Sequence, residues 1–161
     1  MTIEEIIKKA ECGEAFSVPP ARMPDYIRYL YTTHRCIHFL MGVQVESVRR
    51  GEITLSLPVR KEFANSGGFL YGGILAALAD AMALGLIVSV GKSAVTTNLS
   101  MNFLRPHPME GIIRLHGSIR HNGGRMLVLG GEILGDDGAV LAEVSVTMLV
   151  VAPLPEVPAD W

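Results

Sequence analysis

Between Gly72 and Val90 the chain carries one charge, Asp80, in a segment otherwise made mostly of Ala, Leu, Gly, Ile and Val. The alanine and leucine content favours a helix, and apolar residues at every angular position leave no face of it for water. Such a helix belongs in a bilayer or at the centre of a fold. A central Asp costs about 3 kcal/mol on membrane-insertion scales. The segment is also rich in Gly and Ala, and the alternating runs that follow it require a soluble core. A buried core helix is therefore expected, and no membrane span.

The flanking sequence has the period of strands. Val43–Val48 and Ile53–Pro58 alternate on either side of Arg49-Arg50-Gly51-Glu52, a hairpin pattern. Downstream come Ala94–Leu104, Ile112–His121, Met126–Leu134 and Val140–Val151. Arg105-Pro106, Asn122-Gly123-Gly124 and Asp136-Asp137-Gly138 separate these runs and have turn chemistry, so the sheet should be antiparallel. Ahead of the hairpin, Thr2 and Glu5 form a capping-box pattern before Ile3, Ile6 and Ile7. Met23–Met41 carries Tyr26, Ile27, Leu30, Tyr31, His34, Ile37, His38 and Met41 at helical spacing. One continuous helix is expected there. Residues 152–161 form a Pro-rich tail, expected to be extended or disordered. The chain thus divides into a helical extension (1–41), an α+β domain (42–151) and the tail. An all-apolar helix fits this order if the sheet curls around it and a second subunit closes the remaining side.

A chain of 161 residues supports one core. Its 49% hydrophobic and 19% charged residues exceed what one small core uses, leaving apolar surface for subunit contacts or a pocket. The net charge of −2, with Lys and Arg scattered, gives no footprint for nucleic acid. Cys12 and Cys36 have no metal-spaced partners. His34 and His38 lie one helical turn apart but lack a third ligand nearby, and an amphipathic face accounts for them, so no metal is expected. The mixed charges of Met1–Lys9 do not make a secretory signal, and a cytoplasmic location is expected.

Asn65-Ser66-Gly67-Gly68-Phe69-Leu70-Tyr71-Gly72-Gly73, then Ala77-Leu78-Ala79-Asp80, Thr96-Thr97 and Phe103-Leu104-Arg105-Pro106 occur in one order. This set resembles the hot-dog thioesterases of the phenylacetate-degradation type, over about His38 to Val151. The resemblance implies a hot-dog fold, in which a curved antiparallel sheet wraps one long buried helix. It also implies hydrolysis of an acyl-CoA substrate by a homodimer that assembles to a homotetramer, with no cofactor besides the coenzyme A of the substrate. Asp80 would be general base or nucleophile and the Gly72 N–H would polarise the thioester carbonyl. Asn65 would help hold the water or carbonyl, and Thr96 would stand beside the carboxylate. Tyr71 occupies the place of a histidine usual in the family, and with Gly73 it falls in the substrate-binding segment.

Elementary chemistry points the same way. Thioester hydrolysis needs a base or nucleophile on one side of the carbonyl and donors where charge develops on its oxygen. The first turn of a helix supplies unpaired N–H groups backed by the helix dipole, and a glycine there lets substrate approach. On one straight helix Gly72 and Asp80 would be separated by roughly 12 Å. Either the loop folds back, or Asp80 of one subunit works with Gly72 and Asn65 of its neighbour across a two-fold axis, and the second arrangement is preferred. Arg105, and the turn holding Gly124 and Arg125, are candidates for the coenzyme A phosphates. Plainer readings compete. Asp80 could be structural, although burying a carboxylate without a task is costly. Thr96 could be an ordinary strand residue, Asn65 a loop cap, and the arginines solvated turn residues. Rival functions are a non-catalytic hot-dog domain that binds acyl-CoA or fatty acyl groups, and a dehydratase or hydratase, which would need a His–acid pair that the motif region lacks. His107, His116 and His121 find no partner in the sequence.

Overall fold

A computed structural model describes residues 1–33 and 36–161. Its centre is helix α4, Gly72–Ser89, laid against a six-stranded sheet. The strands are β1 (Gln44–Arg49), β2 (Glu52–Pro58), β3 (Lys92–Phe103), β4 (Ile112–Asn122), β5 (Met126–Leu134) and β6 (Val140–Pro153). They are ordered β1-β2-β4-β5-β6-β3, and every neighbouring pair is antiparallel. This is the hot-dog arrangement. By length and a mean hydropathy of 1.9, α4 could cross a membrane. Here it is the core helix.

Alternation builds the inner face of the sheet. Ile53, Leu55 and Leu57 of β2, Ile113 and Leu115 of β4, Leu127, Leu129 and Ile133 of β5, and Val144, Val146 and Met148 of β6 are buried against α4. Gly117 and Gly131 face each other across β4 and β5, and Met82 of α4 rests in the space their missing side chains leave. A Cβ at Gly117 would collide with the Met82 thioether. The helix therefore sits close to the sheet because two strands give up a side chain at the same level.

The helix is not enclosed on every side within one chain. Gly73, Ile74, Ala76, Ala77, Asp80 and Leu84 are exposed or partly exposed, and they run down one stripe of α4 at three-and-four spacing. The expectation that Asp80 is buried therefore does not hold for the single chain, and the burial cost that favoured a functional Asp80 does not apply to it.

Helix α1, Ile3–Glu11, begins with the expected capping box: the Thr2 N–H donates to Glu5 Oε2 at 2.8 Å, and the Glu5 N–H to Thr2 Oγ1 at 3.3 Å. The helix expected over Met23–Met41 is two helices, α2 (Met23–Thr33) and α3 (Ile37–Met41). Cys36 is extended, with φ −83° and ψ 165°, and caps the second. The spacing of His34 and His38 falls partly outside the described residues; His38 itself is buried, with Nε2 3.4 Å from the Leu30 carbonyl oxygen. Helix α2 packs on β1 and α4. The Pro-rich tail is a docked turn: the Val157 N–H bonds the Leu154 carbonyl at 3.1 Å, Val157 is buried, the Val18 N–H donates to the Glu156 carbonyl at 2.8 Å, and Trp161 Nε1 donates to the Ser89 carbonyl at 2.8 Å.

Candidate functional site

The loop before α4 is shaped by one side chain. Asn65 Oδ1 accepts from the Gly67 N–H at 2.8 Å and the Phe69 N–H at 3.1 Å. Backbone hydrogen bonds from Asn65 to the Phe69 carbonyl (2.7 Å) and from Gly68 to the Asn65 carbonyl (3.1 Å) close the turn. The oxygen of the amide is thus committed to the loop, which fixes the NH₂ group as the end with donors to spare. The Leu70 N–H then bonds the His107 carbonyl (3.0 Å) and the Tyr71 N–H the Phe63 carbonyl (2.8 Å), and these set the angle at which the chain enters α4.

Gly72 is the first residue of α4, capped by Tyr71 without a side-chain hydrogen bond. The first N–H groups of a helix have no partner within it, and among the described residues none accepts from Gly72 or Gly73. A Cβ at Gly72 would lie 3.2 Å from the Phe103 ring, whereas the Tyr71 ring covers the space beside Gly73. An open groove of about 290 Å³ runs along this helix start, lined by Asn65, Phe69, Gly72, Leu75, Phe103 and Arg105 among others. Three of the predicted residues, Asn65, Gly72 and Arg105, are therefore brought together.

Asp80 and Thr96 form a second cluster. Thr96 Oγ1 donates to Asp80 Oδ1 at 2.8 Å, so the hydroxyl expected beside the carboxylate is there. A bulge makes the contact. Thr96 pairs with Met148 and Asn98 with Thr147, leaving Thr97 as the extra residue, its hydroxyl donating to the Thr147 carbonyl at 3.0 Å. Before the bulge, Ala94 and Thr96 face α4; after it, Leu99 and Met101 pack on the core. One inserted residue swaps the inward parity, which lets a polar hydroxyl reach α4 without turning the rest of β3 polar-side-in.

The two clusters are separate within one chain. Gly72 and Asp80 lie on the same helix, roughly 12 Å apart along its axis, and Asp80 does not line the groove. The remaining candidates divide as well. Arg105 follows β3 at its Phe103 end, with its N–H on the Leu141 carbonyl. The exposed turn of Gly124 and Arg125 lies at the opposite end of β3, where Lys92 Nζ donates to Asn122 Oδ1 and the Gly123 carbonyl. The length of β3, roughly 36 Å at strand rise, stands between the two arginines. Each half of the candidate site therefore has its own cation: Arg105 near the free helix N–H groups, and Arg125 nearer the carboxylate.

One residue at the groove was not anticipated. His107 is only 8% exposed and lines the groove beside Arg105. Its Nδ1 is 2.7 Å from the Pro108 carbonyl oxygen, an acceptor, so Nδ1 carries the hydrogen. Thirty-five positions separate it from Gly72 in sequence, and only the Leu70–His107 backbone bond brings the segments together. His116 Nδ1 lies 3.1 Å from Thr54 Oγ1, away from both clusters.

Comparison with known proteins finds relatives of the same fold. The family model described as Thioesterase superfamily matches residues 67–142. A protein of Saccharolobus solfataricus, provisionally named an esterase, is 29% identical over 64% of this chain and 74% of its own. Among solved structures, the PaaI protein of the Escherichia coli phenylacetic acid degradation operon superposes with a TM-score of 0.77. It is 20% identical, covering 86% of this chain and 99% of that one. A hypothetical thioesterase of Streptococcus pneumoniae, solved with coenzyme A, has a TM-score of 0.67 and 24% identity over 69% of this chain and 87% of that one. Variants of the pneumococcal protein have also been solved with alanine in place of one aspartate or of a threonine sixteen positions later.

Proposed function

We propose that this chain, a hot-dog protein of the thioesterase superfamily, hydrolyses an acyl-CoA thioester to the free acid and coenzyme A. The observation that carries the reading is the Asp80–Thr96 hydrogen bond on the open stripe of a helix whose first N–H groups are unpaired. The Thr96 hydroxyl occupies Oδ1 of the carboxylate and leaves Oδ2 to take a proton from water. Water attacks the thioester carbonyl, the developing oxyanion is met by the Gly72 N–H, and the amide NH₂ of Asn65 orients the carbonyl or the water. The C–S bond breaks, and the coenzyme A thiolate accepts the proton that Asp80 took. Direct attack by Asp80 through an anhydride is the other route open to the same carboxylate. No metal or redox cofactor takes part.

The separation of the clusters gives the site its assembly. We assign each site to two subunits of a homodimer, with Asp80 and Thr96 from one and Gly72 and Asn65 from the other. Two features support the pairing: the half-open stripe of α4, and the edge strand β3 with Val95 and Phe103 exposed. Pairing of dimers to a tetramer follows the same family reading. Arg105 and the turn of Gly124 and Arg125 then approach the coenzyme A phosphates from different subunits. Tyr71 and Gly73 border the thioester, and the reaction takes place in the cytoplasm. The spacing of Asp80 and Thr96, sixteen positions, equals that of the aspartate and threonine altered in the pneumococcal protein.

A panel of short, medium, long and aromatic acyl-CoA substrates, read by thiol release, tests the reaction and finds the acyl group. Hydrolysis of at least one class is expected. Binding of acyl-CoA without thiol release across the panel would select the non-catalytic reading instead.

A further inference from the structure

Tyr31 lies outside the site just described, yet it reaches into the helix that carries Asp80. Its hydroxyl donates to the Ala81 carbonyl at 2.6 Å and accepts from the Gly85 N–H at 3.1 Å. These are the two groups that an uninterrupted α-helical turn would pair with each other. The phenol is 1% exposed, and its ring packs at a tilt of 56° against His38, with centroids 5.1 Å apart. Gly85 makes the approach possible, since a Cβ there would sit 3.0 Å from the Tyr31 oxygen and run into Ile53 Cδ1.

We propose that Tyr31 is a positioning residue for Asp80: by bridging Ala81 and Gly85 it pins the turn of α4 after the carboxylate, and so sets the direction from which Asp80 meets Thr96 and the substrate. The inference rests on Asp80 being the base or nucleophile. A side chain inserted into the ladder of a helix is a recognised cause of local bending. Asp80 is sensitive to such a bend because, among the described residues, one hydrogen bond, from Thr96, orients its exposed carboxylate. The setting of the helix backbone next to it therefore shares control of its aim with that bond.

The arrangement separates positioning from stability. Without the Tyr31 hydroxyl, Ala81 and Gly85 have each other as the partners of an ordinary α-helical turn, so no buried polar group is orphaned. Tyr31→Phe should therefore shift the thermal midpoint by no more than a few degrees while moving the backbone beside Asp80. A displacement near 1 Å at a reacting group can cost up to about a hundredfold in rate. For Tyr31→Phe we expect kcat to fall by about tenfold with KM within about twofold, because the substrate contacts at Asn65 and Gly72 are untouched.

The deciding experiment measures kcat and KM of wild type and Tyr31→Phe on the acyl-CoA class found active. It is paired with thermal unfolding and with the carboxyl ¹³C resonance of Asp80 in both proteins. A lower kcat at constant KM, an unchanged midpoint and a moved Asp80 resonance are expected. Wild-type kcat in the variant, or an Asp80 resonance that stays in place, would overturn the inference. So would a rate loss matched by a fall in thermal midpoint. If wild type proved inactive on every substrate, the hydrolase reading would fail by itself, and the resonance would still report whether Tyr31 governs the setting of Asp80.

Discussion

Asp80 is the residue on which the proposed chemistry turns, and its exposure within one chain makes a clean test available. Asp80→Asn is nearly isosteric, keeps an acceptor for the Thr96 hydroxyl, and removes only the charge and the basic lone pair. Thiol release should fall by at least about a hundredfold, as expected for loss of a general base. Stability should stay within about 0.5 kcal/mol, the usual range for exposed substitutions away from special structure. A rate near wild type would remove Asp80 from the mechanism. At the same scale, the Asn65 amide oxygen caps the loop, and its NH₂ is the group left for the proposed role at the carbonyl. Tyr71 supplies the N-cap position and a ring beside Gly73.

Among the elements, β3 is the most informative, because its bulge is what joins a polar pair to an apolar sheet. Deleting Thr97 would join Thr96 to Asn98 with both still opposite their present partners on β6, so Thr96, Leu99 and Met101 would all keep facing inward and only the bend of the bulge would be lost. No packed side chain is exposed by the change. The deletion should therefore leave the urea midpoint nearly unchanged, and a sharp fall would show that the bend of the bulge itself supports the fold. The bulge also marks the limit of what the sequence makes legible. Periodicity locates all six strands and α4, because side-chain patterns at periods 2 and 3.6 are imposed by burial and survive in the sequence. A one-residue bulge leaves only a change of parity, from Ala94 at an even position to Leu99 and Met101 at odd ones, and the polar run Thr96-Thr97-Asn98 hides where it happens. The break at Cys36 is invisible for a similar reason: Ile37, His38 and Met41 keep helical spacing with Leu30 and Tyr31 across it, and no Gly or Pro marks the change. The groove is half legible. Asn65 and Gly72 are close in sequence, whereas His107 reaches them through the tertiary contact at Leu70. The tail misleads by composition, since its prolines suggest disorder while Leu154, Val157 and Trp161 anchor it.

For the molecule as a whole, the two clusters predict complementation. Asp80→Asn and Gly72→Val subunits should each be inactive, the second because a side chain at Gly72 meets Phe103 and closes the approach to the N–H. Co-expressed, they should recover up to one working site per heterodimer, measured as thiol release. Inactivity in verified heterodimers would place both groups in one chain. Alkaline stability is a second property of the whole fold. Burial pushes the Tyr26 phenol up to about 12, with Glu156 and Tyr29 adding to the shift, and burial raises Tyr31 further. Below about pH 10 both phenols are protonated whether the chain is folded or not. Above it the unfolded chain releases protons that the folded chain retains. Stability should therefore fall as pH rises from about 10 through about 12, and the fall should be shallower in Tyr26→Phe and Tyr31→Phe. Urea midpoints across that range measure it. The docked tail, finally, turns the protein into its own optical probe. The sequence holds one tryptophan, Trp161, and its indole N–H is tied to the Ser89 carbonyl at the end of α4. Intrinsic indole emission therefore reports from a single address. Its wavelength should move to the red when the tail lifts from the helix, separating tail release from global unfolding without any label.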